Sequence, residues 1–337
     1  MEDRKDKFLG CLIGGAVGDA LGYPIEFLDE KRIFEEYGKK GICDYQLIGH
    51  VAQVSDDTQM TLFTAEGLLL SEKENKNPID SIALAYRDWL YTQQESYPVK
   101  NKSTYTQLIH KPELFSLRAP GITCLSALRN EQLGTIDNPI NDSKGCGGIM
   151  RVAPIGLFYG EKTVEEIDMI GAQAAALTHG HELGYISSAA LVHIVYLLSH
   201  HHLSLLDAVK DMRETMIELF PNSNHMKELI TLIDKAIILS TEKTDDLTAI
   251  HQLGEGWVAE ETLAIALYCS LKYSHDFKKA ICVAVNHGGD SDSTGAVTGN
   301  ILGAYLGLSA IPQSYLKDLE LRDMIVDMAE KLYNHRQ

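Results

Sequence analysis

Between the apolar run Ala280 to Val285 and a glycine-studded helix lies Asn286-His287-Gly288-Gly289-Asp290-Ser291-Asp292-Ser293-Thr294-Gly295. Two carboxylates two residues apart, with hydroxyls beside them and glycines that let backbone turn sharply, make the donor set a hard divalent cation takes. The same residue types gather at helix N-caps, so on this stretch alone a plain cap stands level with a metal ligand. A second stretch, Ser55-Asp56-Asp57-Thr58, has a similar grammar of two carboxylates and two hydroxyls at the head of a helical run from Thr61 to Leu70. Acidic side chains in a first turn meet the helix dipole favourably, which accounts for one of these aspartates. Adjacent side chains on a helix diverge by about 100°, so Asp56 and Asp57 share one cation poorly but can each reach a different member of a pair. Together the two stretches point to a two-metal site.

Weaker signals lie elsewhere. Gly22 and Pro24 force a sharp turn that leaves Glu26 after an apolar wall, where a lone glutamate is more often a surface residue than a functional one. In Ser143 to Pro154, three glycines within four residues (Gly145, Gly147, Gly148) expose backbone N–H groups that suit a phosphate, and the helix start after them favours an anion. Neither the Walker lysine-hydroxyl pair nor the dinucleotide glycine spacing is present. His179 and His181, at i and i+2, do not share a helical face and have no cysteine partners; one suits a ligand contact and the other a structural role. Zinc is therefore not expected.

The elements that must carry these residues read as helices. Gly14, Gly18 and Gly22 recur at one helical turn within a buried helix over residues 6–22, and Gly295, Gly299 and Gly303 do the same after the second acidic stretch. That spacing permits very close backbone approach. Pro78 to Leu90 reads as a helix with Trp89 in the core, Gly171 to Leu198 as a long alanine-rich segment broken at 178–182, residues 203–250 as amphipathic helices, and Leu263 to Leu271 as another apolar helix. Residues 95–116, polar and carrying two prolines, read as an exposed excursion. No strand alternation appears, so one compact all-α domain over residues 1–337 is expected.

Composition sets the bounds. With 337 residues and 45% hydrophobic content the chain has ample material for a core, while a formal charge of -17 with no basic stripe argues against a nucleic-acid or anionic-membrane partner. An anionic substrate would have to be received by metals, backbone N–H groups or a few placed cations. The six cysteines form no Cys-x-x-Cys pair or compact framework, which suits a reducing cytoplasm. The apolar stretch Phe8 to Val17 only faintly imitates a signal peptide, since its leader is not clearly positive and Asp19 follows. No uncharged run spans a bilayer.

Seven blocks in order carry a resemblance: GCLIGGAVGDALGYPIEF, SDDTQMTLFTAEGLL, RAPGITCLSAL, SKGCGGIMRVAPIGL, ALTHGHELGYISSAAL, GEGWVAEETLAIALY and NHGGDSDSTGAVTGNILGAYLG. Spanning residues 11–307, they resemble the ADP-ribosylglycohydrolase family, which includes the dinitrogenase-reductase-activating glycohydrolase. The resemblance implies an all-helical fold with a magnesium or manganese pair in a central cleft, hydrolysis of the glycosidic bond between ADP-ribose and a modified group, and release of ADP-ribose. It implies Ser55, Asp56, Asp57, Asp290, Asp292 and Ser293 as metal ligands; serine stands at 55 and 293 where the family often has threonine, a mild departure because either hydroxyl ligates. Glu26, Asp56 or Asp57 would position or deprotonate a metal-bound water, and Gly147, Gly148 and His179 would receive the pyrophosphate. Arg151 would assist there or serve as a structural ion-pair partner. Arginine is the expected modified residue, because an acidic chain attracts a guanidinium-bearing protein surface. Two rivals stand beside this reading: a two-metal phosphohydrolase of ADP-ribose or nucleotides, and an immunity protein that occludes a cognate ADP-ribosyltransferase or toxin.

Overall fold

A computed structural model describes residues 2–100 and 103–335, so residues 101 and 102 of the expected excursion and both extreme ends of the chain lie outside it. Among the described residues there are sixteen α-helices and no strand, only three isolated β-bridges. In chain order they are α1 (Glu2–Gly22), α2 (Glu30–Tyr37), α3 (Asp56–Glu74), α4 (Pro78–Gln94), α5 (Ile122–Leu128), α6 (Ala153–Phe158), α7 (Val164–Ala176) and α8 (Glu182–His200). The second half contributes α9 (Leu205–Leu219), α10 (Met226–Thr241), α11 (Asp246–Leu253), α12 (Ala259–Lys272), α13 (Phe277–Val285), α14 (Ser291–Leu306), α15 (Gln313–Lys317) and α16 (Arg322–Asn334).

The most extensive helix pairing in the molecule is α1 against α14. The two glycine ladders are the reason: Gly10, Gly14 and Gly18 face Gly303, Gly299 and Gly295, and Gly22 faces Ser291. At each step a Cβ would overlap the partner's carbonyl, so the backbones approach as only glycine allows. Around this seam α8 is buried from Leu183 to Ser199 and α12 from Thr262 to Ser270. Helices apolar on every face belong in a core, whereas α9, α10 and α16 bury one stripe each and form the outer layer. Residues 3–25 and 182–200 reach the length and apolarity of a membrane span, yet 83% and 89% of their apolar windows are buried inside the protein.

The excursion at 95–116 differs from expectation, for two carboxylates anchor its later part. Asp88 accepts from the Tyr105 and Thr106 amides at 2.8 Å each, and Glu66 accepts from the Gln107 and Leu108 amides at 2.6 and 2.9 Å. Leu108, Ile109 and Leu114 are thereby buried. The polar sequence concealed this because the anchoring acids lie on helices earlier in the chain.

Candidate active site

The ends of α1, α3 and α14 meet. Ser55 caps α3, accepting from the Asp57 amide at 3.2 Å, and Asp290 caps α14, accepting from the Ser293 amide at 3.3 Å. The two caps are joined: Ser293 Oγ donates to Asp57 Oδ2 at 2.9 Å, and the nearby Ser55 hydroxyl favours the charged form of Asp292. Capping therefore leaves these carboxylates beside one another in one cluster. Asp56 enters from the same turn and accepts from the Gly121 amide at 3.0 Å.

Asp19, which the sequence reading left without a role in the site, holds the first cap in place. From α1 it accepts from the Ser55 amide at 2.9 Å, the Thr58 amide at 3.1 Å and the Thr58 hydroxyl at 2.5 Å, and it is fully buried. A charged residue inside an otherwise apolar buried helix was the available signal. The turn at Tyr23–Ile25 then delivers Glu26 into the cluster. The glycines of the second stretch act by close approach rather than by unusual dihedrals: neither Gly288 nor Gly289 has positive φ, but a Cβ at Gly289 would overlap the Glu255 carbonyl, which accepts from the Asp290 amide at 2.8 Å. His287 is buried with Nε2 against the Thr294 hydroxyl at 3.0 Å, a packing role.

Glu26, Asp290 and Asp292 offer carboxylate oxygens all within 4.8 Å of one another. Glu26, Asp56, Asp57, Asp290 and Asp292 are all buried, and none is in an ion pair among the described residues. Two unit charges at most 4.8 Å apart repel by at least about 3 kcal/mol even at an effective dielectric of about 20. Burial first, and the Asp292 charge next, accordingly push Asp57 and Asp290 well above the usual carboxylate range, and the same two causes lift Glu26 to about 10. Glu26 Oε2 is buried without a hydrogen-bond partner. Five acids, two hydroxyls and an orphaned oxygen, with no protein cation to meet them, fit divalent metal ions.

The cluster forms one side of a 370 Å³ cleft that Gly145, Cys146, Gly147 and His179 also line. His179 is buried, and burial followed by the Arg151 charge pulls it down to about 3, so it is neutral. Its Nδ1 lies 2.8 Å from the Thr178 hydroxyl, which itself accepts from Arg151 at 2.7 Å. The Nε2 edge of the ring lies close to Gly145 and Gly147. Arg151 does not line the cleft. It is wholly buried, donates to the Ala174 carbonyl at 3.2 Å, and stacks over Tyr86 at 4.3 Å, so it is neither a direct anion contact nor an ion-pair partner here. Gly148 likewise faces Ala175 and Ser188 rather than the cleft. At the rim, Phe27 and Trp257 stack with ring centroids 6.2 Å apart and planes 19° apart; both are exposed, and the sequence reading assigned neither a role.

Residues 1–337 match the ADP-ribosylglycohydrolase family profile. The chain belongs to the ADP-ribosylglycohydrolase family. The human ADP-ribosylhydrolase ARH3 is 25% identical over 97% of this chain and 93% of its own length. The ADP-ribosyl-[dinitrogen reductase] glycohydrolase of Rhodospirillum rubrum is 28% identical over 94% of this chain and 91% of its own. A solved ADP-ribosylglycohydrolase-related protein complex superposes with a TM-score of 0.67 at 25% identity, covering 100% of both chains. The all-α fold expected from the glycine ladders and the absence of strand alternation is therefore an ADP-ribosylglycohydrolase fold, and the family supports a hydrolase activity on ADP-ribosylated substrates.

Proposed function

We propose that this single-domain ADP-ribosylglycohydrolase removes ADP-ribose from ADP-ribosylated arginine on a protein, by attack of water at C1 of the ribose. The observation that supports the reading is the joining of the two caps, which gathers Asp56, Asp57, Asp290, Asp292 and Glu26 in a cleft that Gly147 and His179 also line. Ser55, Asp56, Asp57, Asp290, Asp292 and Ser293 would hold two divalent cations, Mg or Mn, which supply Lewis acidity and a water of lowered pKa. Departure of the leaving group from C1 builds positive charge on the sugar, and the acids concentrate negative potential where that charge develops. Glu26, whose Oε2 is otherwise unsatisfied, orients the attacking water and receives its proton, with Asp56 and Asp57 on the same side as alternatives. Neutral His179 and the backbone at Gly147 and Gly148 receive the pyrophosphate, with Gly148 acting through its main chain alone. Arg151 contributes indirectly, through its hydrogen bond to the Thr178 hydroxyl that also meets His179. Arginine as the modified residue rests on the formal charge of -17, which draws a guanidinium-bearing protein surface. The scattered free cysteines suit work in the cytoplasm.

The deciding experiment incubates the protein with ADP-ribosylated arginine and serine peptides in Mg or Mn, with and without chelator. Release of intact ADP-ribose from the arginine peptide, lost on chelation, is the expected result. Release from the serine peptide alone would overturn the linkage, release of phosphate would favour a phosphohydrolase, and no release from either would overturn the hydrolase reading for these linkages.

A further inference from the structure

A second cavity, of 730 Å³, runs along α13 and shares no lining residue with the cleft. Lys39, Lys40, Lys278 and Lys279 line it together with Asp44, Asp246 and Asp276, and Cys43 and Cys282 both border it. The two thiols are neighbours, close enough for each to shift the other's proton affinity, and the Cys43 thiol donates to the Lys40 carbonyl at 3.7 Å. Their segments are locked together independently of the sulfurs. Asn286 accepts from the Ile42 amide at 2.8 Å and donates to the Ile42 carbonyl at 2.7 Å and the Cys282 carbonyl at 2.6 Å. Tyr315 donates to the Cys43 carbonyl at 2.7 Å and lies 3.9 Å from the Cys282 sulfur. Gly41, with φ +67°, lets the chain pass so close that a side chain there would collide with Asn286.

The two thiols are unlike. The neighbouring Cys282 thiol, aided by Lys278 and Lys279, brings Cys43 down to about 7 against its partial burial and the nearby Asp44. The proximity of Cys43, then burial, pushes Cys282 up. Cys11, Cys124, Cys146 and Cys269 are pushed up by burial. One thiolate that attacks and one neighbouring thiol that keeps its proton are the two parts of a redox pair.

We propose that Cys43 and Cys282 form a peroxide-reactive dithiol that closes to an intramolecular disulfide. The Cys43 thiolate attacks one peroxide oxygen, the O–O bond breaks, and hydroxide leaves; the sulfur is oxidised by two electrons to the sulfenic acid and the peroxide is reduced. The Cys282 sulfur then attacks the Cys43 sulfur as its proton passes to the departing hydroxyl. The S–S bond forms, the S–O bond breaks, and water leaves. Lys278, whose ammonium is also held by Asp44 at 2.8 Å, stabilises the Cys43 thiolate.

The test uses the full-length, pre-reduced protein treated with hydrogen peroxide at neutral pH, blocked, digested without reductant and mapped by mass spectrometry. A linked peptide pair joining Cys43 to Cys282, released by dithiothreitol, is expected. In untreated protein, brief iodoacetamide labelling should mark Cys43 about tenfold or more ahead of the other cysteines. Cys282→Ser should leave Cys43 carrying oxygen and form no internal link; if that variant does not fold, the wild-type map decides. Oxygen accumulating on wild-type Cys43 while Cys282 stays free, or earlier oxidation of Cys146, would overturn the proposal.

Discussion

Two of the places where this molecule buries carboxylates meet the charge in opposite ways. Asp168 on α7 faces His193 on α8, Oδ2 to Nδ1 at 2.7 Å, and the other ring nitrogen faces Asp211 on α9 at 2.9 Å. There the protein supplies its own counter-charge and ties three helices together. In the cleft, Asp56, Asp57, Asp290 and Asp292 have backbone amides and hydroxyls around them, Glu26 Oε2 has no hydrogen-bond partner, and none of the five is in an ion pair among the described residues. The first arrangement meets its charge within the chain, although Asp168 Oδ1 stays buried without a hydrogen-bond partner, whereas the second is short of positive charge. A buried charge is costly unless compensated, so the cleft holds stability in reserve for what binds it.

Exchanging the same atom in each place should separate the two roles most sharply. Asp292→Asn is expected to cut ADP-ribose release by more than the roughly 100-fold that loss of an outer-shell metal partner costs. It should also leave the metal-free protein as stable as wild type or more so, by about 1–3 kcal/mol, since one repelling charge is gone. Asp168→Asn should do the reverse, costing about 1–3 kcal/mol through the polar group it strands while hydrolysis continues. Urea denaturation in chelator, run beside a peptide hydrolysis assay, reads both. Equal destabilisation by the two variants would erase the distinction drawn here.

Cation addition comes next in size. Mg or Mn at a hundredfold excess over its dissociation constant should stabilise wild type and Asp168→Asn by about 2.7 kcal/mol, with a much smaller gain in Asp292→Asn. Thermal melts with and without chelator measure it, and an equal gain in all three would place the ion elsewhere. The seam beneath the cleft offers a control without titratable groups. Gly18→Ala puts a methyl into the Gly295 carbonyl and should cost about 1–2 kcal/mol of overpacking strain, lowering stability equally with and without metal.

The same contrast explains what could be read from sequence. The clusters at 55–57 and 290–293 were legible because acidic and hydroxyl residues gather there at short spacing, and the ladders at Gly14–Gly22 and Gly295–Gly303 because close packing has a period. That those ladders face each other was not legible, since nothing local names a partner roughly 280 residues away in sequence. Asp19 was missed for the same reason: its three donors lie on another helix. Arg151 misled because a basic residue beside a glycine loop resembles an anion site, and only burial against Tyr86 and Thr178 shows where its guanidinium goes. The buried pair Asp168–His193 gave no motif at all.

That pair carries the smallest effect. Burial pulls His193 down, but its hydrogen bonds to Asp168 and Asp211 outweigh this and leave it raised above 6.5. Burial lifts Asp168 to about 6 although His193 pulls the other way, so burial outweighs pairing on the acid while pairing outweighs burial on the base. Both shifts make the native state hold protons that the unfolded chain has lost. A raised histidine contributes stability that is fully present below 6.5 and is lost as pH rises through its folded value. The advantage of wild type over His193→Gln should therefore shrink as pH rises from 6 to the alkaline side of that value. The cleft acids titrate alike in both proteins and cancel in the difference. Parallel stability curves over that range would mean that His193 is neutral in the fold, and that Asp168 is then as short of positive charge as the acids of the cleft.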